Sequence, residues 1–429
     1  MKKKLSTGIL LSLALVIMLG TSCTKSADTS ATISPDLPHI AETTTEIVTE
    51  PPTETDPPFS AVNVDLVMVG DILAHEGVYK SGYYPDGTVN FDHMFAHVTD
   101  DLQAADIAIV NQEVVLGGEE LGLSAYPCFN SPTQIGDALI TAGFNVILHA
   151  TNHTLDKGIK GVDNTLNFWK TSHPDIPILG IHDESFTDYS TQDIYVYEKD
   201  GLKISILNYT YGTNGIPIPQ SRPLIVNMLE EDKVRTDVQR AKEISDFVIV
   251  CPHWGTEYVY TPDSYQQKWT KIFYDLGVDL VIGTHPHVIE PVEWIESEDN
   301  DHKMLVYYSL GNFISYQSKL PRMLGAMAQV TISMDSVENL GDNLPYGKLV
   351  TVQNGNKQEQ CLIYISNYGV EPLVTHKLYG PGLITTYKLS DYTDELAAQN
   401  LINKDEPGFS LQFLKDLSKQ VFKDLVNFE

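Results

Sequence analysis

The sequence predicts an α/β domain, and three observations carry that expectation. Short, nearly continuous apolar runs recur along the chain, stretches with apolar residues at three- and four-residue spacing separate them, and each run ends in Asp, Glu, Asn or His. Buried strands alternating with amphipathic helices are the pattern of a sheet covered by helices.

The first run, Val64-Asp-Leu-Val-Met-Val-Gly70, delivers Asp71. Ile107–Val110 leads into Asn111-Gln-Glu113, and Asn145–Leu148 into His149-Ala-Thr-Asn152-His153. Phe247–Val250 leads into Pro252-His253-Trp254, and Leu280–Ile282 into Gly283-Thr-His285-Pro-His287. Helices are expected over 133–142, 158–170, 229–244 and 264–276. Residues 193–211 read as a hairpin with Asp200-Gly201 at its turn. Lys303–Tyr308 reads as a further strand before Ser309-Leu-Gly-Asn312-Phe313. Weaker strands and a last amphipathic helix near 409–426 follow. In open α/β sheets ligands sit outside the carboxyl ends of strands, so the run-end side chains are expected to share one crevice. A lone Asp or His after a strand is usually a turn or cap residue; five such ends in succession argue for convergence.

The N-terminus differs. Met1-Lys-Lys-Lys4, the apolar stretch Ile9–Leu19 and the small residues Gly20-Thr-Ser22 just before Cys23 read as a signal peptide over 1–22. The apolar stretch is short for a bilayer, which needs about 20 residues. A cysteine at that point is the arrangement of bacterial lipoproteins, so Cys23 is the expected lipidation site and an extracytoplasmic, membrane-anchored surface lipoprotein the expected location. Residues 23–58 are rich in Ser, Thr, Pro and Glu, too polar to offset the cost of ordering, and are expected to be a tether. The domain is expected over 59–325, with 326–429 completing or extending it.

The formal charge is −29, and three units more negative without Lys2, Lys3 and Lys4. That balance argues against nucleic acid as a partner. Cys128, Cys251 and Cys361 give neither a disulfide framework nor a CxxC zinc pair.

Asp71, Glu113, Asn152, His253, His285 and His287 are oxygen and imidazole ligands. That mixture suits Mn, Fe or Zn better than Ca or Mg alone. A shared carboxylate can hold two such ions roughly 3.5–4 Å apart. His153 is then free to protonate a leaving oxygen. Trp254 and Tyr258 are candidate pocket walls, although aromatic packing explains them equally. Asp156 and Glu257 are candidates to orient ligand imidazoles, or simply turn caps. Asn312 either reaches the crevice or serves as a turn residue.

Gly70-Asp71, Asn111-Gln-Glu113, Thr151-Asn152-His153-x-x-Asp156-x-Gly158, His253-Trp254-Gly255-x-Glu257-Tyr258, Gly283-x-His285-Pro286-His287 and Ser309-Leu-Gly-Asn312-Phe313 occur in this order. Together they resemble the CapA family of poly-γ-glutamate capsule-synthesis proteins, itself similar to calcineurin-like metallophosphoesterases, over roughly 64–316. The resemblance implies a four-layered α/β/β/α sandwich of metallophosphoesterase type with a C-terminal extension, and one or two divalent ions. It implies that Asp71 and Glu113 are bridging carboxylates and that Asn152, His253, His285 and His287 are further ligands. His153 would be the acid. The superfamily usually has Asp at the position of Glu113, and a His where this chain has Leu73; His75 is a substitute in the wrong register for an extended strand.

Two functions follow from the resemblance. One is a metal-dependent hydrolase acting in capsule or cell-envelope polymer synthesis. The other is a non-catalytic part of a capsule assembly or export machinery, with membrane proteins and an anionic polymer as partners. A domain this acidic repels such a polymer unless metals or local basic groups offset it. A substrate-binding lipoprotein leaves the ordered His and Asn motifs unexplained.

Overall fold

The computed structural model describes residues 58–189, 194–297 and 300–428. The expected signal peptide, Cys23 and nearly all of the tether lie outside them.

The chain opens with β1 (Val62–Ile72), whose later residues are buried on both faces. Strands β2 (Ile107–Asn111), β3 (Val146–Leu148) and β4 (Ile178–Leu179) add to it in parallel and in that order. Helices α1 (Glu76–Ser81), α2 (Thr99–Ala104), α3 (Gln134–Ala142) and α4 (Gly158–Ser172) alternate with them. Successive strand side chains point to opposite faces. Val67, Val69, Ala108 and Val110 therefore pack with Leu102, Leu139, Phe168 and Trp169 of the helices.

The next stretch builds a second sheet from β5 (Tyr195–Lys199), β6 (Leu202–Thr210), β7 (Phe247–His253), β8 (Leu280–Ile282), β9 (Val292–Ser297) and β10 (Asn300–Tyr307), in the order β5-β6-β7-β8-β10-β9. Its four central strands are parallel and its two edges antiparallel. The β5–β6 turn sets Asp200 (φ 49°) and Gly201 (φ 86°) in the left-handed region, as the Asp-Gly pair predicts. Helices α5 (Glu231–Ile244) and α6 (Ser264–Leu276) cover the outer face through Val234, Val238, Trp269 and Phe273. Asp263 and Gln266 form a reciprocal capping box at the start of α6, and Gly277 ends the helix in the left-handed conformation.

Met68, Ile109 and Leu148 of the first sheet meet Ile206, Ile249, Ile282 and Tyr307 of the second in one core. Helices, sheet, sheet and helices thus stack as an α/β/β/α sandwich.

The rest of the chain returns to the first sheet. Strand β11 (Asn312–Ile314) pairs with β1 in parallel; β12 (Leu324–Ser336) lies antiparallel to β1 on that same side. After α7 (Val337–Leu340) come β13 (Lys348–Asn354), β14 (Lys357–Lys377) and β15 (Ile384–Lys388), all joined through β14. A division at residue 325 falls inside β12, beside the strand that carries Asp71. After α8 (Asp394–Gln399), the last helix α9 (Leu411–Phe422) packs Leu414, Leu417, Val421 and Phe422 into the core between the layers. Among the described residues no helix is long and apolar enough to cross a membrane.

Candidate metal centre

Both sheets aim the carboxyl ends of their parallel strands at one place. Asp71, Glu113 and Asn152 come from β1 and the loops after β2 and β3; His253, His285 and His287 come from β7 and the loop after β8. All six are at most 2% exposed. Gly70 is required where β1 meets the segment before β11, because a Cβ there would lie 1.9 Å from the carbonyl oxygen of Gly311.

Asp71 accepts from Asn111 Nδ2 at 2.8 Å through Oδ1, and Oδ2 lies 3.0 Å from His287 Nδ1 and 3.3 Å from the backbone nitrogen of His285. His253 sits with Nε2 at 3.0 Å from Asn152 Oδ1 and Nδ1 at 2.9 Å from Thr284 Oγ1. Glu113 Oε1 stands 3.7 Å from both His253 Nε2 and His287 Nε2. Ligand atoms within 4.8 Å of one another form three overlapping groups: Glu113 with His253 and His285, Asp71 with Glu113 and His287, and Glu257 with His285 and His287.

Both carboxylate oxygens of Glu113 and Nδ1 of His285 are buried without a hydrogen-bond partner. Leaving such groups unmade in the interior is costly, the more so for a charge. Burial, and then the nearby Asp71, push the Glu113 carboxyl well above its usual range. Burial, and then the neighbouring imidazoles, hold His253 and His285 well below theirs, so both rings are neutral, and His285 keeps Nδ1 unengaged. A cation held by Glu113 and His285, with His253 in the same group, would satisfy the orphaned carboxylate and the open ring nitrogen at once, so the donor set fits a divalent metal. His285 (φ 102°), His287 (φ 58°) and Tyr258 (φ 66°) all adopt left-handed backbone, a strain that clusters at working sites.

His153 is set apart from the ligand groups. Its Nδ1 lies 2.7 Å from Asp156 Oδ2, which fixes the ring and leaves Nε2 for the cavity. Asp156 thus orients this ring and none of the ligand imidazoles. Glu257, expected behind the ligands, stands among them. Tyr258 lines the cavity, against the His287 ring at 5.9 Å. Trp254 does not: it is fully buried on the outer side of the second sheet, donates to the Tyr308 carbonyl at 3.0 Å and packs on Phe273. Its neighbour His253 faces the site, and strand alternation sends Trp254 the other way.

Leu73 is 2% exposed within the core beneath the helices. His75 lines the cavity, with Nδ1 3.1 Å from the Leu73 carbonyl oxygen, and joins none of the ligand groups. Burial pushes its pKa down to about 4. Asn312 is buried beside the loop that carries His287, where its Nδ2 lies 3.4 Å from the His287 carbonyl oxygen and 3.2 Å from Gln317 Oε1.

Two site residues escaped the sequence reading. Asn111 braces Asp71, its register partner on the neighbouring strand, and as the last residue of β2 it obeys the same strand-end rule. Asn214 accepts from Asn152 Nδ2 at 3.1 Å, and only its Asn-Gly turn signal marked it. The cavity over the centre encloses about 790 Å³, within the roughly 300–1,000 Å³ of small-molecule sites.

A back-to-back pair of mixed sheets with carboxylate, amide and imidazole groups at the shared strand ends defines a two-sheet α/β sandwich with a candidate metal centre. The family model described as "Bacterial capsule synthesis protein PGA_cap" matches residues 65–317, and the chain belongs to that family. It is 30% identical over 258 residues to the capsule biosynthesis protein CapA of Bacillus anthracis, covering 58% of this chain and 59% of that one. It is 30% identical over 172 residues to the PGA biosynthesis protein CapA of Bacillus subtilis (strain 168), covering 40% and 42%. The chain thus spans about half the length of these curated relatives. Solved structures that overlay include the NAD nucleotidase of Haemophilus influenzae (12% identity, 86% of this chain and 65% of that one, TM-score 0.45). Another is the calcineurin-like phosphoesterase YfkN of Bacillus subtilis (11%, 83% and 100%, TM-score 0.40). The overlap with both is loose and bears on neither activity nor substrate.

Proposed function

We propose that the chain is a metal-dependent hydrolase working on a polymer of the capsule or cell envelope. One observation carries the reading: the buried Glu113 oxygens and His285 Nδ1 have no hydrogen-bond partner, in residues that belong to one ligand group with His253. Asp71, Glu113, Asn152, His253, His285 and His287 would hold one or two ions of Mn, Fe or Zn, with Glu257 as a further donor. A bound ion supplies Lewis-acid polarisation of an ester oxygen. The chain's own groups do the rest. Asn111 and Asn312 hold Asp71 and the His287 loop in place, and Asp156 fixes His153 with Nε2 toward the cavity. From there His153 can hand a proton to a leaving oxygen.

A non-catalytic role in capsule assembly is favoured by one observation, the apolar Leu73 where a ligand imidazole is usual. Elemental analysis of the full chain supplied with Mn, Fe or Zn, followed by turnover of a nitrophenyl phosphodiester, separates the two. Metal with turnover supports the hydrolase; metal without turnover supports assembly; no metal in any condition removes both. The capsule role draws support from the names of the relatives. Anchoring at the outer membrane face draws support from residues 1–23, and Cys23→Ala should release the protein or leave its precursor uncleaved.

A further inference from the structure

The chain has 57 acidic and 28 basic residues, so cations are scarce in it and several are taken up by carboxylates. Lys199 pairs with Asp106, Arg222 with Asp163, Arg235 with Glu231 and Lys319 with Glu406. Arg322 does not follow them. Its guanidinium lies flat over the Tyr258 ring, 3.4 Å from the centroid, and among the described residues it makes no ion pair. It is also the one Lys or Arg among the described residues that line the cavity over the metal centre.

Its position is fixed. Asn312 Nδ2 donates to the Arg322 carbonyl oxygen at 3.1 Å and lies 3.4 Å from the carbonyl of His287, tying the arginine's backbone to a ligand loop. Tyr258 is locked in turn by its own nitrogen donating to the Pro286 carbonyl at 2.8 Å, between the two ligand histidines. A stacked guanidinium keeps its edge donors free and loses little freedom when an oxyanion binds.

We propose that Arg322, stacked on Tyr258, forms an anion subsite beside the metal centre, which takes a second oxyanion, carboxylate or phosphate, carried by the substrate next to the bond that is broken. The proposal rests on the hydrolase reading and narrows its substrate to molecules with a second negative charge beside the reacting group. It also answers the electrostatic difficulty of so acidic a chain, since the repulsion is relieved at the one point where an anion must enter.

The test is calorimetric binding to the Mn-supplied full chain of two matched probes, thymidine 5′-(4-nitrophenyl phosphate) and the same compound with a 3′-phosphate. The protein should prefer the second by about 10- to 100-fold, the worth of one charge-assisted contact. Arg322→Gln should abolish that preference while binding the first probe within about twofold, a change near the limit of what 0.4 kcal/mol produces; Arg322→Lys should keep part of it. Displacement of the second probe by triglutamate, but not by trialanine, assigns the subsite to carboxylates; no displacement assigns it to phosphates. An unmodified protein without preference, or an Arg322→Gln protein weakened equally for both probes, overturns the proposal. Metal content and release of nitrophenolate from the first probe report separately on the hydrolase reading, so either can fail alone.

Discussion

Glu113→Gln should change stability in opposite directions with and without metal. In the metal-free protein Glu113 is a buried carboxylate with no partner for either oxygen and with Asp71 beside it. Gln keeps the shape and removes the charge, although it leaves an amide unpaired. We predict a gain of about 1–3 kcal/mol at pH 7, the scale of an unmade buried interaction. For a domain of this size that is a rise of a few degrees in melting temperature, at roughly 1–2 °C per kcal/mol. The sign also depends on pH. The folded pKa of Glu113 is raised above its ordinary 4.5, so its contribution is least unfavourable below that value and worsens as pH rises. The advantage of Gln should therefore shrink to nothing as pH falls below 4.5. With metal the order reverses. An ion at 100 times its dissociation constant stabilises the unmodified protein by about 2.7 kcal/mol, and Gln, no longer an anionic ligand, should forfeit most of that. Calorimetric melting with chelator and with Mn, at pH 7 and pH 4, measures all four corners. A Gln variant that is less stable without metal, or that keeps the full gain with it, would refute the assignment of Glu113 as a cation-awaiting group.

Three further outcomes are expected. His153→Gln should hold its metal while turnover falls roughly 10²–10⁴-fold, and Asp156→Asn should fall between it and the unmodified protein; loss of metal in His153→Gln would make it a ligand. Ending the chain at residue 408 removes the buried Leu414, Leu417, Val421 and Phe422 of α9. At about 1.5–3 kcal/mol each this approaches a whole domain's stability of about 5–15 kcal/mol, so the product should be insoluble, and a soluble, cooperatively melting fragment would contradict the packing. His149 is buried, takes the Trp169 indole N–H at 3.0 Å on Nε2, and has its pKa pushed from 6.5 down to about 3 by burial. Being lowered on folding, it favours the folded state fully above pH 6.5 and costs about 1.4 kcal/mol for each unit below it. His149→Asn should flatten the fall in stability between pH 6.5 and 5 by about 2 kcal/mol, and an unchanged slope would show that His149 protonates freely.

Much of this molecule is legible in its residues because one rule, polar ligands at the ends of buried strands, acts at every parallel strand that reaches the site. Asp71, Glu113, Asn152, His253, His285 and His287 each follow an apolar run, and the fold gathers all of them. The rule is silent about direction within a loop. Trp254 follows His253 and looks equally placed, yet alternation turns it into the outer core. Glu257 moved the other way, from a supporting group to a member of a ligand group, because the left-handed turn at Tyr258 lies beyond any propensity argument. Arg322 stands after the matched motifs and reaches the cavity only because β11 and β12 bring the end of the chain back beside β1. Such long-range pairing leaves no local mark in the sequence.

The six candidate ligands are split evenly between two sheets, and the halves are far apart along the chain. Asp71, Glu113 and Asn152 are complete within the first stretch of the domain, but the histidines arrive only after β7 and β8, and the strand that flanks β1 comes later still. No product of synthesis shorter than 287 residues contains the set. A centre of this kind would be completed only once both sheets are in place, so an ion bound there would reward the joining of the two sheets and could not guide the folding of the first.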